Sequence, residues 1–308
     1  MMRMSRIKRP MKAPTDPVTD EELSSLTYPL CGSPKLDGFR CLVDRVPLTS
    51  SMSQFPNDFT RETLSAPVFD GLDGELIVGS PFMTHKDDDV FHRTSGPLRR
   101  KSGEPDFKLY AFDDWRNGDR TYNDRWLTEG KLRRNHPRIV LLEQRILTCP
   151  EDVTSYEEEM LALGYEGAMI RSLTGTYKEG RCTFAEMNIF KRKPYVEIEA
   201  EIVGMEEAML NTNEQTLDAR GLSKRSSAKA GKVPKGTLGK FILRSPLLDK
   251  DFPARPGEGF TDDRKLDIWK HRPEYLGLMA TVKYQKYGSR KAPRQASVIK
   301  IRPKWDLA

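Results

Sequence analysis

Lys35-Leu36-Asp37-Gly38-Phe39-Arg40, near the start of this 308-residue chain, places a lysine, an acid, a glycine and an arginine at one strand-to-turn position. Glycine lets a backbone approach a ligand closely. A lysine whose pKa is lowered can act as a nucleophile. The same residues also fit a hairpin with a surface lysine and an Asp-Gly turn, so the interpretation depends on the rest of the chain.

Further short segments follow in chain order, and each combines strand-like apolar residues with a charged or aromatic residue. They are Asp73-Gly74-Glu75-Leu76-Ile77-Val78, Leu109-Tyr110-Ala111-Phe112-Asp113, Tyr165-Glu166-Gly167-Ala168-Met169-Ile170-Arg171, the set Tyr177, Gly180 and Arg181, and Phe190-Lys191-Arg192-Lys193. Their apolar alternation predicts β-strands. Side chains two residues apart on a strand share a face, so Lys191 and Lys193 are expected to present their ammonium groups together. A solvent-facing edge strand would show the same spacing.

With these segments in this order, the chain resembles the ATP-dependent DNA ligases, especially the small ligases of bacteriophages and bacteria. These belong to the covalent nucleotidyltransferase superfamily, together with mRNA capping enzymes and RNA ligases. The resemblance covers nearly the whole chain. It implies an α+β fold, with an antiparallel-sheet nucleotidyltransferase (adenylation) domain over residues 1–195. A small OB-fold β-barrel domain over residues 196–308 would follow, with a basic DNA-binding insertion around residues 208–238.

The resemblance also implies an activity, which is the sealing of nicks in duplex DNA with ATP. Lys35 would attack the α-phosphate of ATP, expel pyrophosphate and retain AMP. The AMP would pass to a 5′-phosphate, and the neighbouring 3′-hydroxyl would then displace it. The implied cofactors are ATP and Mg²⁺, with Mn²⁺ as a substitute, and the implied partner is nicked double-stranded DNA. We expect a monomer in the cytoplasm of a bacterial or phage-infected cell, with no membrane partner.

The resemblance assigns roles to individual residues, and electrostatics explains why these residue types suit them. Lys35 needs a lowered pKa, for which desolvation and the cations Lys191, Lys193 and Mg²⁺ would be responsible. The expected catalytic residues are Lys35, Asp37, Arg40, Lys191 and Lys193. The expected metal ligands are Glu166 and Glu75. The expected nucleotide-binding residues are Ser33, Pro34, Lys35, Arg40, Glu75, Phe112, Glu166, Arg181, Lys191, Lys193, Arg294, Arg302 and Lys304.

Two of these assignments concern the adenine base and the second domain. Phe112 would stack on adenine, although a Phe at the end of a strand is more often part of the core. Backbone carbonyls near Ser33 and Pro34 would read the base. Arg294, Arg302, Lys304 and Asp306 resemble a sixth motif that folds over ATP, which implies a hinge near Lys193–Val196.

The charge distribution supports a nucleic-acid partner. From Arg220 to the end there are 22 Lys/Arg and 8 Asp/Glu, while the whole chain carries only +6, so the preceding residues carry −8. Such asymmetry indicates that the C-terminal part meets a polyanion, although a solvated basic loop would look similar. The expected DNA-binding residues are Arg40, Arg181, Lys224, Arg225, Lys229, Lys232 and Lys235.

The chain departs from the family pattern at one position. Ser50 stands where the family carries an arginine that senses the nick phosphate. Either Arg45 or Arg61 substitutes for it, or nick sensing is weaker. We expect self-adenylation to be retained in either case.

Alternative functions are a capping guanylyltransferase, an RNA ligase, or a non-catalytic nucleic-acid-binding protein with a degenerate lysine site. An NAD-dependent ligase is disfavoured because the chain lacks its N-terminal module and zinc finger. Roles in replication, repair and recombination, and the joining of nicks, cohesive ends or blunt ends, are all compatible with the resemblance.

Local patterns give further expectations. Met1–Lys12 is basic without an apolar run, so we interpret it as a frayed tail and not as a secretory signal. Four dispersed cysteines and four scattered histidines predict free thiols and no zinc site. Helices are predicted over residues 123–134, 152–163 with Asp152 as N-cap, and 261–270 with Thr261 as N-cap. One strand is predicted over residues 35–43 and another over 139–146.

Overall fold

The chain folds into two units, Met1–Lys193 and Pro194–Ala308. A computed structural model describes residues 6–85, 88–128, 136–217, 223–285 and 293–302. None of the described helices is both long and apolar enough to span a membrane.

The first unit combines eleven described strands with four described α-helices. In chain order they are β1 Met11–Lys12, α1 Asp20–Leu23, β2 Leu30–Pro34, β3 Phe39–Asp44, β4 Val46–Thr49, α2 Asp58–Leu64, β5 Leu72–Val78, α3 Val90–Arg99, β6 Phe107–Asp114, β7 Ile139–Leu141, β8 Arg145–Leu147, α4 Pro150–Ala162, β9 Ala168–Ser172, β10 Gly180–Arg181 and β11 Ile189–Arg192.

These strands form two main sheets. One has the order β11-β9-β2-β8 and the other the order β4-β3-β5-β6-β7, and all neighbours are antiparallel except β6 and β7. Residues 35–38 are the connection between β2, in the first sheet, and β3, in the second. The motif at the start of the chain therefore lies where the backbone passes from one sheet to the other.

Each sheet buries its own apolar side chains. Phe55, Phe69 and Phe107 are fully buried in the core of the five-stranded sheet. Helix α4 covers the four-stranded sheet, where Val153 is buried against Ile170. Burial of this kind contributes about 25 cal/mol for each Å² of apolar surface removed from water, so these cores stabilise the two sheets.

The second unit is a five-stranded barrel. Its elements are β12 Tyr195–Asn211, β13 Gln215–Leu217, β14 Ser223–Arg225, β15 Lys232–Arg244, β16 Phe252–Pro256, α5 Asp262–Lys270, α6 Arg272–Tyr275, β17 Met279–Gln285 and β18 Arg294–Ile301. The barrel closes in the order β12-β15-β16-β18-β17. The predicted α+β unit followed by an OB-type barrel is confirmed.

The long strand β12 makes closure possible. Its first half pairs with β17 and its second half with β15, and the β15 pairing contains register shifts near Gly204 and Glu207. Such bulges bend a strand and increase its twist, so one strand can serve two sides of a barrel. Alternate residues Ile198, Ala200 and Ile202 point into the barrel core.

Several local predictions are corrected. Residues 139–146 form two strands, β7 and β8, in different sheets, because the polar residues at 143–144 interrupt the apolar run. Helix α4 begins at Pro150 after the N-cap Cys149, so Asp152 is not its cap. Asp152 instead accepts hydrogen bonds from Thr148. The helix predicted from residue 123 is a six-residue π-helix, Asn123–Thr128, and residues 129–135 lie outside the described residues.

Other predictions are confirmed or revised by small amounts. Helix α5 begins after Thr261, whose side chain accepts a hydrogen bond from the Arg264 backbone N–H, as predicted. The strand predicted over 35–43 begins only at Phe39, since residues 35–38 turn between the two sheets.

The N-terminal segment is not a frayed tail over its described residues. Ile7 and Met11 are each only 2% exposed, and β1 pairs in parallel with β10. The apolar residues in this segment are too widely spaced to form a recognisable strand pattern. Their burial depends on partners about 170 residues further along the chain.

Candidate active site

The loop over residues 35–38 is held against the turn before β9. The Lys35 backbone N–H donates to the Gly167 carbonyl at 2.8 Å, and the Glu166 N–H donates to the Lys35 carbonyl at 3.1 Å. Gly167 has φ +141°, and a Cβ there would lie 2.2 Å from the Arg192 carbonyl oxygen, so only glycine fits. These two hydrogen bonds fix Lys35 and Glu166 as neighbours although 131 residues separate them.

Glu166 is the centre of a buried charge cluster. Its Oε2 accepts from Lys35 Nζ at 2.5 Å, and its Oε1 lies 3.5 Å from Lys193 Nζ. The Glu166 and Lys193 side chains are 5% and 6% exposed, whereas the Lys35 side chain is 20% exposed. Strand β11 ends at Arg192, so Lys193 reaches Glu166 from the residue after the strand and not from within it.

The pKa values of the three lysines diverge. Burial acts to lower the pKa of Lys35, but the Glu166 carboxylate, with smaller effects of Glu75 and Asp37, outweighs it and the pKa is raised. The predicted fall in the pKa of Lys35 is therefore wrong for this arrangement, in which Glu166 is paired with the amine. Burial and neighbouring cations lower the pKa of Lys191 to about 8, and burial also lowers the pKa of Lys193.

Arg40 is held by a two-point contact with Asp73. Its Nε and Nη2 each lie 2.6 Å from one Asp73 oxygen, in the paired geometry that guanidinium and carboxylate favour. The Tyr177 hydroxyl donates to the same carboxylate at 2.7 Å. Asp73 is fully buried, so this network sets the position of Arg40.

Phe112 is 7% exposed, and two guanidinium groups lie over its ring. The guanidinium carbon of Arg40 is 4.6 Å from the ring centroid, and that of Arg171 is 5.0 Å away. Arg171 was not among the predicted site residues, because in its segment the resemblance assigned a role only to Glu166. Its buried Nε has no hydrogen-bond partner.

Six of the thirteen predicted nucleotide-binding residues line one cavity. It is lined by Ser33, Pro34, Lys35, Leu36, Arg40, Glu75, Phe112, Leu142, Met169 and Arg171. Ser33 and Pro34 end β2 and pair with Met169 and Ala168 on β9. Six of the ten lining residues are thus among those predicted from the sequence; the other four, to which no role was assigned, are Leu36, Leu142, Met169 and Arg171.

Glu75 faces Arg40 across the β3–β5 pairing. Burial raises the pKa of Glu75 to about 8. Since this value lies above the ordinary one, the folded state holds a proton that the unfolded state loses at pH 4.5–8. The contribution of Glu75 to stability is complete below the ordinary pKa and is lost as pH rises through about 8.

We therefore expect the first unit to lose stability between pH 5 and pH 8 relative to a Glu75→Gln variant, which carries no titratable group. The difference should approach about 1.4 kcal/mol for each pH unit in this interval. Urea unfolding at several pH values, with hydrogen exchange to assign the transition to the first unit, measures it. Parallel pH profiles for the two proteins would contradict the raised pKa.

A cation from a part of the chain that was not predicted to take part contacts Ser50. Lys12 Nζ donates to the Ser50 carbonyl at 3.2 Å. Arg45, one expected substitute, pairs with Asp44 at 3.3 Å, and Arg61, the other, is paired with Asp58. An ammonium group that contacts the departure from the family pattern thus belongs to the N-terminal segment.

In the second unit, the described part of the predicted basic insertion around residues 208–238 is a hairpin. It continues the β12–β15 pair through Leu210 and Val233. Strands β13 and β14 pair beyond it, and Asn213 Nδ2 donates to the carbonyls of Ser226 and Ala228. Arg225, Lys229 and Lys235 are exposed and Lys232 is half-buried, whereas the Lys224 side chain lies outside the described residues. The hairpin therefore presents its cations to solvent.

The residues of the sixth motif are only partly described. Arg294 begins β18, and Arg302 Nη2 donates to Glu199 Oε1 at 3.0 Å within the barrel. Lys304 and Asp306 lie outside the described residues.

Known structures share this fold. A Chlorella virus DNA ligase-adenylate is 24% identical, with a TM-score of 0.51, and the alignment covers 96% of this chain and 100% of that one. A Lig E DNA ligase is 20% identical, with a TM-score of 0.65, and the alignment covers 89% and 92%. No family model matches the sequence, and no curated protein matches it. The chain therefore has the two-domain fold seen in these ligases.

Proposed function

We propose that the protein is an ATP-dependent DNA ligase that seals nicks in duplex DNA through a covalent Lys35–AMP intermediate. The observation that carries the proposal is the Lys35 amine at the mouth of a cavity that also presents Arg40, Glu75 and Phe112. A nucleophilic lysine, phosphate-binding cations and an aromatic face are what nucleotidyl transfer requires.

The reaction proceeds in three displacements at phosphorus. The neutral Lys35 amine attacks the α-phosphorus of ATP, forming the N–P bond as the bond to the bridging oxygen breaks and pyrophosphate leaves. The 5′-phosphate at the nick then attacks the same phosphorus and releases Lys35. Finally the 3′-hydroxyl, losing its proton, attacks the 5′-phosphate and AMP departs.

Lys35 must lose a proton before the first step. The Glu166 carboxylate keeps the pKa of Lys35 raised. A ligand that binds this carboxylate would therefore lower the pKa of the Lys35 amine. The positive charges of Lys191 and Lys193 interact with that of Lys35, so they disfavour the protonated form of the Lys35 amine. Glu166 thus favours the protonated, ion-paired form of Lys35, and the two neighbouring lysines favour the neutral amine.

The proposed divalent cation requires few protein ligands. Within the described ranges there is no group of three or more His, Cys, Asp or Glu side chains that could hold a metal. Mg²⁺ commonly uses one or two carboxylates and completes its shell with phosphate oxygens and water, so Glu166, with Glu75 nearby, fits such a site. When bound, the ion would neutralise phosphate charge and engage the carboxylate that now pairs with Lys35.

Intact-mass analysis after incubation with nucleotide and Mg²⁺ tests the proposal. We expect a gain of one AMP from ATP, mapped by peptide analysis to Lys35, and subsequent sealing of a nicked duplex. Preferential labelling by GTP would instead favour a capping guanylyltransferase. Tight binding of nicked DNA without any covalent nucleotide would favour a non-catalytic binding protein.

We further propose that the exposed hairpin contacts the DNA backbone. A variant with Lys229→Ala, Lys232→Ala and Lys235→Ala should bind nicked duplex more weakly. The slope of log K against log salt should fall in magnitude by about 0.9 for each phosphate that the variant no longer neutralises. Its rate of Lys35–AMP formation should match that of the wild type, since adenylation needs no DNA.

A control variant with the same change in charge is Lys250→Ala, Lys265→Ala and Lys270→Ala, in the second unit but outside the hairpin. Fluorescence anisotropy with labelled nicked duplex at several salt concentrations compares the three proteins. Equal slopes for the two triple variants would show that only net charge matters.

A further inference from the structure

The segment over residues 10–18, which we call the N-terminal strap, runs along the first unit beside the site. It contains Pro10, Pro14 and Pro17. Proline fixes its own φ and restricts the preceding residue to extended conformations. The strap is therefore stiff before it meets any partner, and it bends only at Thr15 and Asp16.

Three backbone carbonyl oxygens of the strap each accept a hydrogen bond from one of the cations predicted to belong to the site. The pairs are Met11 O with Arg40 Nη2 at 3.2 Å, Ala13 O with Arg181 Nη1 at 2.7 Å, and Thr15 O with Lys191 Nζ at 2.6 Å. Hydrogen bonds from charged donors are stronger than neutral ones, so these contacts fix the cations effectively.

The three carbonyls belong to alternate residues of the strap. In an extended chain, alternate carbonyls point to the same side and lie about 6–7 Å apart. The strap thus contacts three cations from distant parts of the sequence along one row of carbonyls. From Met11 to Thr15 this row of carbonyls can extend up to about 13 Å.

Two further contacts attach the strap to the site. The Val18 N–H donates to the Lys191 carbonyl at 3.1 Å, so the strap also holds the backbone that carries Lys191. The Met11 N–H donates to the Tyr177 hydroxyl at 3.1 Å, which joins the strap to the Asp73 network around Arg40. The Lys12 side chain reaches Ser50 from the same segment and adds a fourth cation.

We propose that the N-terminal strap is a positioning element that lines up Arg40, Arg181 and Lys191 for the successive phosphates of a polynucleotide strand. This inference rests on the proposed function, because it assigns the row to the DNA substrate. A triphosphate places its three phosphates within one short, continuous group, whereas a polynucleotide offers phosphates at repeated intervals along a row. The strap acts through the cations that it holds and takes no part in bond making.

Loosening the strap without removing any charge tests the proposal. The full-length Pro14→Gly/Pro17→Gly variant keeps every carbonyl and every cation but allows the strap to move. The matched control is Pro253→Gly/Pro256→Gly, which changes two prolines of the extended strand β16 in the second unit. The probe is a nicked duplex with a 5′-phosphate, and binding is measured at several salt concentrations.

We expect the magnitude of the slope of log K against log salt to be smaller by about 1–3 in the strap variant, because one to three phosphates are no longer neutralised. Single-turnover sealing should slow by roughly tenfold, equivalent to one interaction with phosphate of modest strength. The control should match the wild type in both measurements. A purely structural role would lower the unfolding midpoint and leave the salt slope unchanged.

The proposal is overturned if the salt slopes of strap variant, control and wild type coincide. It is also overturned if only the KM for ATP changes, since the row would then serve the triphosphate. If the double glycine variant fails to fold, Pro14→Ala/Pro17→Ala provides the same comparison with a smaller decrease in stiffness. Binding of nicked duplex needs no covalent step, so a wild type that gains no AMP would refute the ligase proposal and leave the strap comparison interpretable.

Discussion

Replacing Lys35 with alanine is expected to abolish the gain of one AMP and to reduce nick sealing by at least about 10⁴-fold. The amine is the proposed nucleophile, and enzymes that lose a nucleophile retain only the small acceleration due to binding and electrostatics. Lys35 is the one lysine among the described residues that line the cavity, and backbone hydrogen bonds with Glu166 and Gly167 hold it there. Intact-mass analysis and a gel assay with a nicked duplex measure the two effects.

A second substrate separates removal of the nucleophile from disruption of the fold. A nicked duplex that already carries AMP on its 5′-phosphate bypasses the step at Lys35, so the variant should still seal it. Lys108→Ala, which removes an exposed lysine from β6, is the control and should behave as the wild type. AMP attached to a different residue in the variant, with sealing retained, would overturn the mechanism.

Replacing Asp113 with alanine is expected to destabilise the first unit by about 3–5 kcal/mol. Asp113 and Arg125 are 0% and 1% exposed, and Arg125 Nε and Nη2 lie 2.7 and 3.1 Å from the two carboxylate oxygens. Removing one member leaves a buried charge without its counter-charge, which is far more costly than removing both. Arg171, 3.6 Å from the same carboxylate, would also be affected.

Urea unfolding with hydrogen exchange of the first unit measures this decrease in stability. The control is Asp106→Ala, because Asp106 pairs with Arg138 at 3.4 Å while 98% exposed, and such a pair contributes less than about 1 kcal/mol. The Asp113→Ala/Arg125→Met double variant should be destabilised by less than the sum of the two single variants. Equal destabilisation by Asp113→Ala and Asp106→Ala would mean that the buried pair contributes no more than a surface one.

The short motifs predicted six of the ten residues that line the candidate cavity because, taken together and in order, they carry the resemblance that assigns those residues. Lys35, Arg40, Glu75 and Phe112 were each assigned through that resemblance. Arg171 was not, since it looks like the charged end of an ordinary strand and gains its place only by lying over Phe112. The division of residues 139–146 between two sheets was missed because an apolar run does not reveal which strands its parts will join.

Through the resemblance that its motifs carry, the sequence by itself predicted the α+β unit, the barrel and the basic hairpin, because the residue types and the order of short motifs can be read without knowing the fold. Only the tertiary structure decided the charge state of Lys35, since the balance between burial and the Glu166 carboxylate depends on a distance between residues far apart in the chain. The same holds for the N-terminal strap. The proposed role of the strap depends on its backbone carbonyls. Every residue has a backbone carbonyl, so the side-chain sequence does not show which cations these carbonyls contact.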